Sequence, residues 1–108
     1  MVWTNPAPTQ AFSPQTIELD LSNYNAIIIE LRATTSNAGK NKNIVLKSDT
    51  FPLVIAAGRA DFSIHDGRII TSISDTEIVF GYGVYTNLGN RTDTGIPLNI
   101  YGTNLTFE

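Results

Sequence analysis

The side chains best suited to acid–base chemistry in this sequence are its single histidine and the aspartate that follows it. His65 precedes Asp66, and a histidine beside a carboxylate invites a general-base interpretation. Adjacent residues of a strand point to opposite faces of a sheet, however, so this adjacency does not bring the two side chains into contact. A nucleophile, a histidine and an acid cannot be assembled from neighbouring positions. We therefore predict no catalytic residues and no enzymatic activity, with His65 as a solvated side chain.

Residues that bind metals or phosphates are equally scarce. The chain has no cysteine, which leaves oxygen ligands and hence calcium as the cation to consider. The aspartates lie far apart, and the segment from Asn87 to Asp93 lacks the alternating acidic pattern of a calcium loop. Gly81-Tyr82-Gly83 has neither a following lysine nor a following helix, so it does not indicate a phosphate-binding loop. The sequence predicts neither a metal nor a cofactor.

Recognition chemistry is concentrated near the end of the chain. Aromatic faces cover the C–H patches of sugars, while amides and carboxylates bind sugar hydroxyls, and binding residues usually lie on loops that a rigid scaffold supports. The candidate ligand-binding residues are Tyr82, Tyr85, Asn87, Asn90, Arg91 and Asp93. They predict that the segment from Gly83 to Gly95 contributes to a saccharide-binding surface. The alternative is a merely polar loop, with Tyr82 packed into the core.

The length and composition of the chain describe one globular domain. Its 108 residues, 42% of them hydrophobic, can bury a working core. The net charge is −3 and the seven lysines and arginines are scattered, which argues against a nucleic-acid partner. No apolar run approaches the length of a membrane span, and the first six residues do not resemble a signal peptide. We expect a soluble protein with no membrane partner.

Strand patterns follow one another through most of the chain. Ile17, Leu19 and Leu21 alternate with polar residues, which is typical of a half-buried strand. About eight short strands, frequent turns and no useful amphipathic helix predict an all-β, antiparallel β-sandwich of jelly-roll type over residues 16–108. In the last of these strands Pro97 indicates an edge or a bulge.

Residues 1–15 contain three of the five prolines and are predicted to form an irregular proline-rich N-terminal arm, because proline fixes φ and lacks an amide donor. Trp3 is expected to anchor this arm to the core or to a neighbouring subunit, more readily than to stack on a ligand.

The clearest local signal is Asp66-Gly67, a preferred pair for a two-residue hairpin loop. This register defines two faces. The predicted inward face carries Ala60, Phe62, Ile64, Ile69, Thr71 and Ile73. The predicted outward face carries Asp61, Ser63, His65, Arg68, Ile70 and Ser72.

Several apolar runs place apolar residues on both faces of their strands. These runs are residues 26–29, 44–46, 53–55 and 78–80. One face fills the sandwich core, so the other needs separate cover, and exposed apolar patches usually mark a partner surface. The residues that need cover are exemplified by Ile28, Val45, Val54 and Val79. A homo-oligomer follows as the prediction.

Three segments together resemble a known kind of module. They are Trp3-Thr4-Asn5-Pro6, then Leu19-Asp20-Leu21-Ser22-Asn23-Tyr24 before a central apolar strand, and a closing Gly95-Ile96-Pro97-Leu98-Asn99-Ile100-Tyr101-Gly102. The chain resembles, over nearly its whole length, small terminal modules of tail, tail-fibre or baseplate (receptor-binding) proteins from phages of Gram-positive bacteria. The resemblance implies a β-sandwich on an oligomeric tail protein, with a trimer preferred. It supplies no binding residues for individual positions.

These expectations combine into one functional hypothesis. The protein is predicted to be a non-enzymatic phage tail or virion module for recognition of a host-surface saccharide or for tail assembly. Its expected partners are a host cell-wall saccharide or other tail proteins, and its expected location is the virion, after a soluble period in the host cytoplasm. The alternative is a small phage-encoded inhibitor that binds a bacterial host protein.

Overall fold

The computed structural model describes residues 2–36, 39–60, 65–85 and 88–106, and every regular element among them is a β-strand. The strands are β1 (Trp3–Thr4), β2 (Gln15–Glu18), β3 (Ala26–Thr34), β4 (Lys40–Leu46), β5 (Leu53–Ala60), β6 (His65–Ile73), β7 (Glu77–Tyr85), β8 (Leu88–Arg91) and β9 (Thr94–Thr103). One sheet has the order β1-β9-β3-β4, and the other has the order β2-β7-β6-β5 with β8 also paired to β7. All pairs are antiparallel, so the predicted all-β, antiparallel sandwich is confirmed.

In each sheet one pairing joins an early strand of the chain to a late one. The first strand, β1, pairs with the last, β9, in one sheet, and β2 pairs with β7 in the other. Inside this frame, β3–β4 and β5–β6 are antiparallel pairs of consecutive strands, each within a single sheet. Consecutive strands thus pair within a sheet from β3 to β4 and from β5 through β8, and the chain crosses between the sheets on both sides of β2, between β4 and β5, and between β8 and β9.

Alternating side chains of facing strands fill the space between the sheets. Ile27, Ile29 and Leu31 of β3 are buried while the residues between them are half-exposed, as expected when one face of a strand is inside. Ile78 and Phe80 of β7 fill the core from the other sheet. The two-residue period of the sequence thus places apolar side chains where the sheets meet.

The proline-rich arm lies against the sandwich. Trp3 and Thr4 form β1 opposite Ile100 and Asn99 of β9. Phe12 is buried with its ring edge-on to Phe80 at 5.5 Å and to Trp3 at 6.4 Å between centroids. Trp3 thus packs against the core, which is one of the two positions expected for it.

The hairpin register predicted from Asp66-Gly67 is wrong. Gly67 lies inside β6 opposite Ala56, and Arg68 lies opposite Ile55, so the connection between β5 and β6 falls at residues 61–64, outside the described residues. Glycine is required here by close packing and not by a turn, because a Cβ at Gly67 would come within 2.6 Å of the carbonyl oxygen of Ile55.

The faces assigned from that register are wrong between Arg68 and Thr71, whereas Ser72 is exposed and Ile73 packs against the core, as predicted. Arg68 and Ile70, predicted to point outward, are fully buried, whereas Thr71, predicted to point inward, is exposed. Phe62 and Ile64 of the predicted inward face lie outside the described residues. The packing of Arg68 and Ile70 between the sheets outweighs the local preference of Asp66-Gly67 for a turn.

Apolar residues on the outer faces follow the prediction except at one position. Ile28 and Val79 are half-buried and Val54 is 60% exposed. Val45 was predicted to need cover but is buried, and its neighbour Ile44 is 60% exposed instead. The reason is the pairing of Val45 with the core residue Ile27, which turns Val45 inward. Among the described residues there is no helix that could cross a membrane.

Candidate functional site

The segment predicted to bind saccharide consists largely of strand instead of a free loop. Gly83 to Tyr85 end β7, Leu88 to Arg91 form β8, and Thr94 and Gly95 begin β9. Asn87 lies outside the described residues. Tyr82, Tyr85, Asn90 and Arg91 therefore lie on the antiparallel pair β7–β8, and Asp93 lies in the bend between β8 and β9.

Three of the candidates form one cluster. The Nε and Nη2 atoms of Arg91 donate to the two carboxylate oxygens of Asp93 at 2.9 and 2.8 Å. The guanidinium also lies 5.7 Å from the centre of the Tyr85 ring, within cation–π range. The Arg91 hydrogen bonds lower the pKa of Asp93, and the same contact raises the pKa of Arg91. Each of these groups thus already has a partner within the protein, and the cluster ties β8 to its neighbours.

Tyr82 and Asn90 are exposed separately from that cluster. Tyr82 is 41% exposed, so the alternative that it packs into the core is wrong. It lies at a β-bulge, where two residues of β7, Gly81 and Tyr82, lie between the pairs that β7 forms with Arg68 and Ile70. Asn90 is exposed with a φ of 58°, in the left-handed region that asparagine tolerates.

A groove on the outer face of the four-stranded sheet offers a different site, which sequence reasoning missed. The cavity has a volume of about 270 Å³ and lies over β1, β9, β3 and β4, beside the N-terminal arm. Its lining residues are Thr4, Asn5, Pro8, Glu30, Arg32, Lys40, Leu98 and Asn99. We call this cavity the outer groove.

Part of the outer groove is a row of hydrogen-bonded polar side chains that crosses three strands. Thr4, Asn99 and Glu30 are register partners on β1, β9 and β3. Thr4 Oγ1 donates to Asn99 Oδ1 at 3.1 Å, and Asn99 Nδ2 donates to Glu30 Oε1 at 2.9 Å. The row is therefore held in a defined orientation before any ligand arrives, which lowers the entropy cost of binding.

One wall of the groove is built by the arm at a bulge in β9. The bulge expected from Pro97 is present, since Leu98 is an extra residue between the pairs that β9 forms with Glu30 and Leu31. The buried Asn5 side chain donates to the Pro97 carbonyl at 2.8 Å, and the Asn5 amide donates to the Leu98 carbonyl at 2.8 Å. Asn5 Oδ1 accepts from the Ala7 amide at 2.8 Å, which fixes the chain leading to Pro8. The wall is therefore well anchored.

The other end of the groove is cationic. Arg32 on β3 and Lys40 on β4 are register partners, and Arg32 Nε donates to the Thr34 carbonyl at 2.8 Å. The ion pairs among the described residues join Lys47 to Asp75 and Arg91 to Asp93, so neither cation of the groove takes part in one. Two positive charges therefore line the groove, and no carboxylate of the described residues is bound to either.

The sequence signal for this site is weak because its residues are distant in the chain. Thr4 and Asn99 are 95 positions apart, and Glu30 and Asn99 are 69 apart. The only local hint is the alternation of Glu30 and Arg32 with buried neighbours on β3, which predicts their common face but not what lies beside it.

The chemical character of the groove is that of a binding surface. It presents amide, hydroxyl, carboxylate and cationic groups beside the apolar surfaces of Pro8 and Leu98. Among the residues that the structure describes, no group of three or more His, Cys, Asp or Glu is placed to hold a metal ion. Comparisons with models of known protein families, with curated proteins and with solved structures find no match.

Proposed function

We propose that the protein is a non-enzymatic phage tail or virion module that binds a host-surface saccharide in the outer groove. The observation that carries this proposal is the preorganised row of Thr4, Asn99 and Glu30 beside the anchored wall of the arm. The resemblance of the chain to terminal modules of phage tail proteins supports the virion as the setting.

The dimensions and chemistry of the groove favour a saccharide. A volume of about 270 Å³ lies just below the 300 to 1,000 Å³ typical of pockets for drug-sized ligands. The cavity therefore suits a small unit of a longer polymer that continues across the open sheet. Amide and carboxylate groups bind hydroxyls, the exposed Pro8 can cover C–H surface, and Tyr101 lies two residues beyond Asn99 on the same strand.

The first test removes the central residue of the row. Asn99→Ala removes the amide that is proposed to bind a sugar hydroxyl, a hydrogen bond worth roughly 0.5–1.5 kcal/mol net, so affinity for a purified host cell-wall polysaccharide should fall about tenfold. The variant also loses the intramolecular hydrogen bonds to Thr4 and Glu30, so its melting temperature should fall modestly while the fold is kept. Isothermal titration calorimetry against polysaccharides from candidate Gram-positive hosts measures the effect.

The matched comparison is Tyr85→Ala, in the cluster on the other sheet. That variant tests the surface predicted from the segment Gly83 to Gly95 and should bind with nearly parental affinity. Loss of binding by Tyr85→Ala with no effect of Asn99→Ala would move the site to the β7–β8 pair. A parent protein that binds none of the polysaccharides would contradict saccharide recognition altogether.

We propose in addition that the module works as a homo-oligomer, with a trimer preferred on the resemblance to tail proteins. Several copies would raise the avidity for a repetitive polymer well above that of one groove. The face that favours self-association is the outer side of the five-stranded sheet. Val54 is 60% exposed there beside its register partner Ile69, and Val79 and Val84 are half-buried.

The edge of the five-stranded sheet at β5 is less suited to self-association than its outer face. The edge strand β5 is capped by Asn43, whose Nδ2 donates to the Ala56 carbonyl at 2.6 Å and whose Oδ1 accepts from the Ala56 amide at 3.3 Å. These bonds occupy backbone groups that an added strand would need. A second copy is therefore expected to pack against the face and not to extend the sheet at Ala56.

Light scattering coupled to size exclusion measures the oligomeric state. The parent should elute with the mass of three chains at micromolar concentration, and Val54→Glu should shift the mass to one chain because it buries a charge in an apolar contact. Ile44→Glu, on the opposite sheet, is the control and should keep the parental mass. A parent with the mass of a single chain would refute the homo-oligomer.

A further inference from the structure

Two cations lie directly opposite each other at one end of the outer groove. Arg32 and Lys40 are register partners on β3 and β4 and both line the cavity. Like charges at directly opposed positions of neighbouring strands destabilise a sheet. An anion bound between Arg32 and Lys40 would offset this repulsion.

The Arg32 side chain is oriented for this role. Its Nε donates to the Thr34 carbonyl at 2.8 Å and its Nη2 to the Thr35 carbonyl at 3.3 Å, which fixes the plane of the guanidinium. Its Nη1 has no hydrogen-bond partner among the described residues. A planar guanidinium in a fixed position is well suited to phosphate, sulfate and carboxylate groups.

The nearby carboxylate does not cancel this charge. Glu30 lies on the same face of β3 but is the register partner of another cation, Lys42, and accepts the hydrogen bond of Asn99. Counting Arg32, Lys40 and Lys42 against Glu30 leaves an excess of positive charge on this face, although the whole chain has a net charge of −3. The positive field is therefore local to the outer groove.

We infer that the outer groove takes an acidic saccharide, whose phosphate, sulfate or carboxylate group lies between Arg32 and Lys40 while its hydroxyls meet the row of Thr4, Asn99 and Glu30. This inference rests on the proposed saccharide-binding function and adds the charge class of the ligand. The anion and the sugar ring are expected to contribute together, because the cationic pair and the polar row are parts of one cavity.

The experiment compares matched oligosaccharides that differ only in charge. Neutral, carboxylated, sulfated and phosphorylated forms of equal length are titrated calorimetrically at low salt, with inorganic phosphate and sulfate alone as further probes. At least one acidic form should bind about tenfold more tightly than the neutral form, and salt should reduce this advantage. Inorganic phosphate should bind more weakly than that acidic saccharide; equal affinity would overturn the requirement for a sugar.

Charge-matched variants assign the effect to the groove. The double change Arg32→Gln/Lys40→Gln should reduce the preference for the acidic form to less than about twofold while neutral binding persists. The control is Lys47→Gln, which lies outside the groove, alters the net charge as much as either single groove variant and should retain the preference. The single variants Arg32→Gln and Lys40→Gln should each lose part of it, which preserves the test if the double variant does not fold.

The outcomes distinguish this inference from the function on which it rests. Equal binding of neutral and acidic forms would overturn the acidic ligand and leave saccharide recognition in place. Retention of the preference by Arg32→Gln/Lys40→Gln would overturn the role of the cationic pair. Absence of binding to every saccharide would overturn both.

Discussion

Replacement of Arg68 by methionine is expected to lower the free energy of unfolding by about 3–5 kcal/mol. The Arg68 side chain is fully buried between the sheets. It donates from Nε to the Gly95 carbonyl at 3.0 Å, from Nη1 to the Gly81 carbonyl at 2.8 Å and from Nη2 to the Thr94 carbonyl at 2.9 Å. Methionine keeps much of the apolar length but leaves three backbone acceptors without their donors, which is the costly way to disrupt a buried polar network.

The charge on Arg68 persists inside the protein. Burial lowers the pKa of Arg68 to about 10, so the guanidinium remains protonated at neutral pH. Its central carbon lies 5.2 Å from the centre of the Phe12 ring, which adds a cation–π contact from the arm. One side chain of β6 therefore connects β7, the start of β9 and the N-terminal arm.

Urea unfolding of the parent and three variants measures the effect. Arg68→Lys keeps the positive charge but lacks the planar fork of donors, so a loss of about 2 kcal/mol or more is expected. Arg32→Met removes a partly exposed arginine that also donates to backbone carbonyls, and it should cost no more than about 1 kcal/mol. Similar losses for Arg68→Met and Arg32→Met would show that the buried network contributes little.

Gly95→Ala is expected to destabilise the protein by about 3 kcal/mol or more, because backbone strain and overlap act together. Gly95 has a φ of 59°, a conformation that costs an alanine energy. A Cβ at this position would overlap the carbonyl group of Gly67 and approach the Arg68 amide nitrogen to 3.0 Å. The overlapping atoms belong to the backbone of β6 and cannot move aside without shifting the strand.

The matched control for this change is Gly81→Ala. A Cβ there would meet Cγ2 and Cβ of Ile69 at 3.0 and 3.1 Å, which is tight but less severe than the overlap with backbone at Gly95, and no positive φ is required. We expect this variant to lose about 1–2 kcal/mol, clearly less than Gly95→Ala, in the same urea titration. If both alanine variants unfolded at the parental urea concentration, the close approach of β9 to β6 at Gly95 would not be required for stability.

Arg68 and Gly95 lie where β6 contacts the start of β9, the strand that continues into the outer groove. Gly95 and Thr94 begin β9, and the same strand continues to Leu98 and Asn99 in the groove. The Arg68 hydrogen bonds hold the start of β9 against the five-stranded sheet, so they help to set where the strand crosses the other sheet. Loss of these contacts between β6 and β9 is therefore expected to lower both the stability of the protein and its affinity for the ligand.

The sequence by itself determined the class of the fold and much of its interior. Alternation within residues 16–21 and the apolar run beginning at Ala26 predicted strands, since side chains of successive strand residues point to opposite faces. Pro97 indicated an edge or a bulge, and a bulge is present. Trp3 was expected to contact the core or a neighbouring subunit, and it packs against the core. These features depend on residues close together in the chain, whose geometry local stereochemistry constrains.

Only the tertiary structure decided the register of β5 and β6, the burial of Arg68 and the position of the outer groove. Asp66-Gly67 favours a turn locally, but the packing of Gly67 against neighbouring strands places it inside β6. A charged residue such as Arg68 is expected outside, because arginine is almost never fully buried unless it is paired. Its three acceptors come from residues 13 to 27 positions away, and the groove joins residues up to 95 positions apart. Such contacts form only when distant strands pair, so a pattern among neighbouring residues does not predict them.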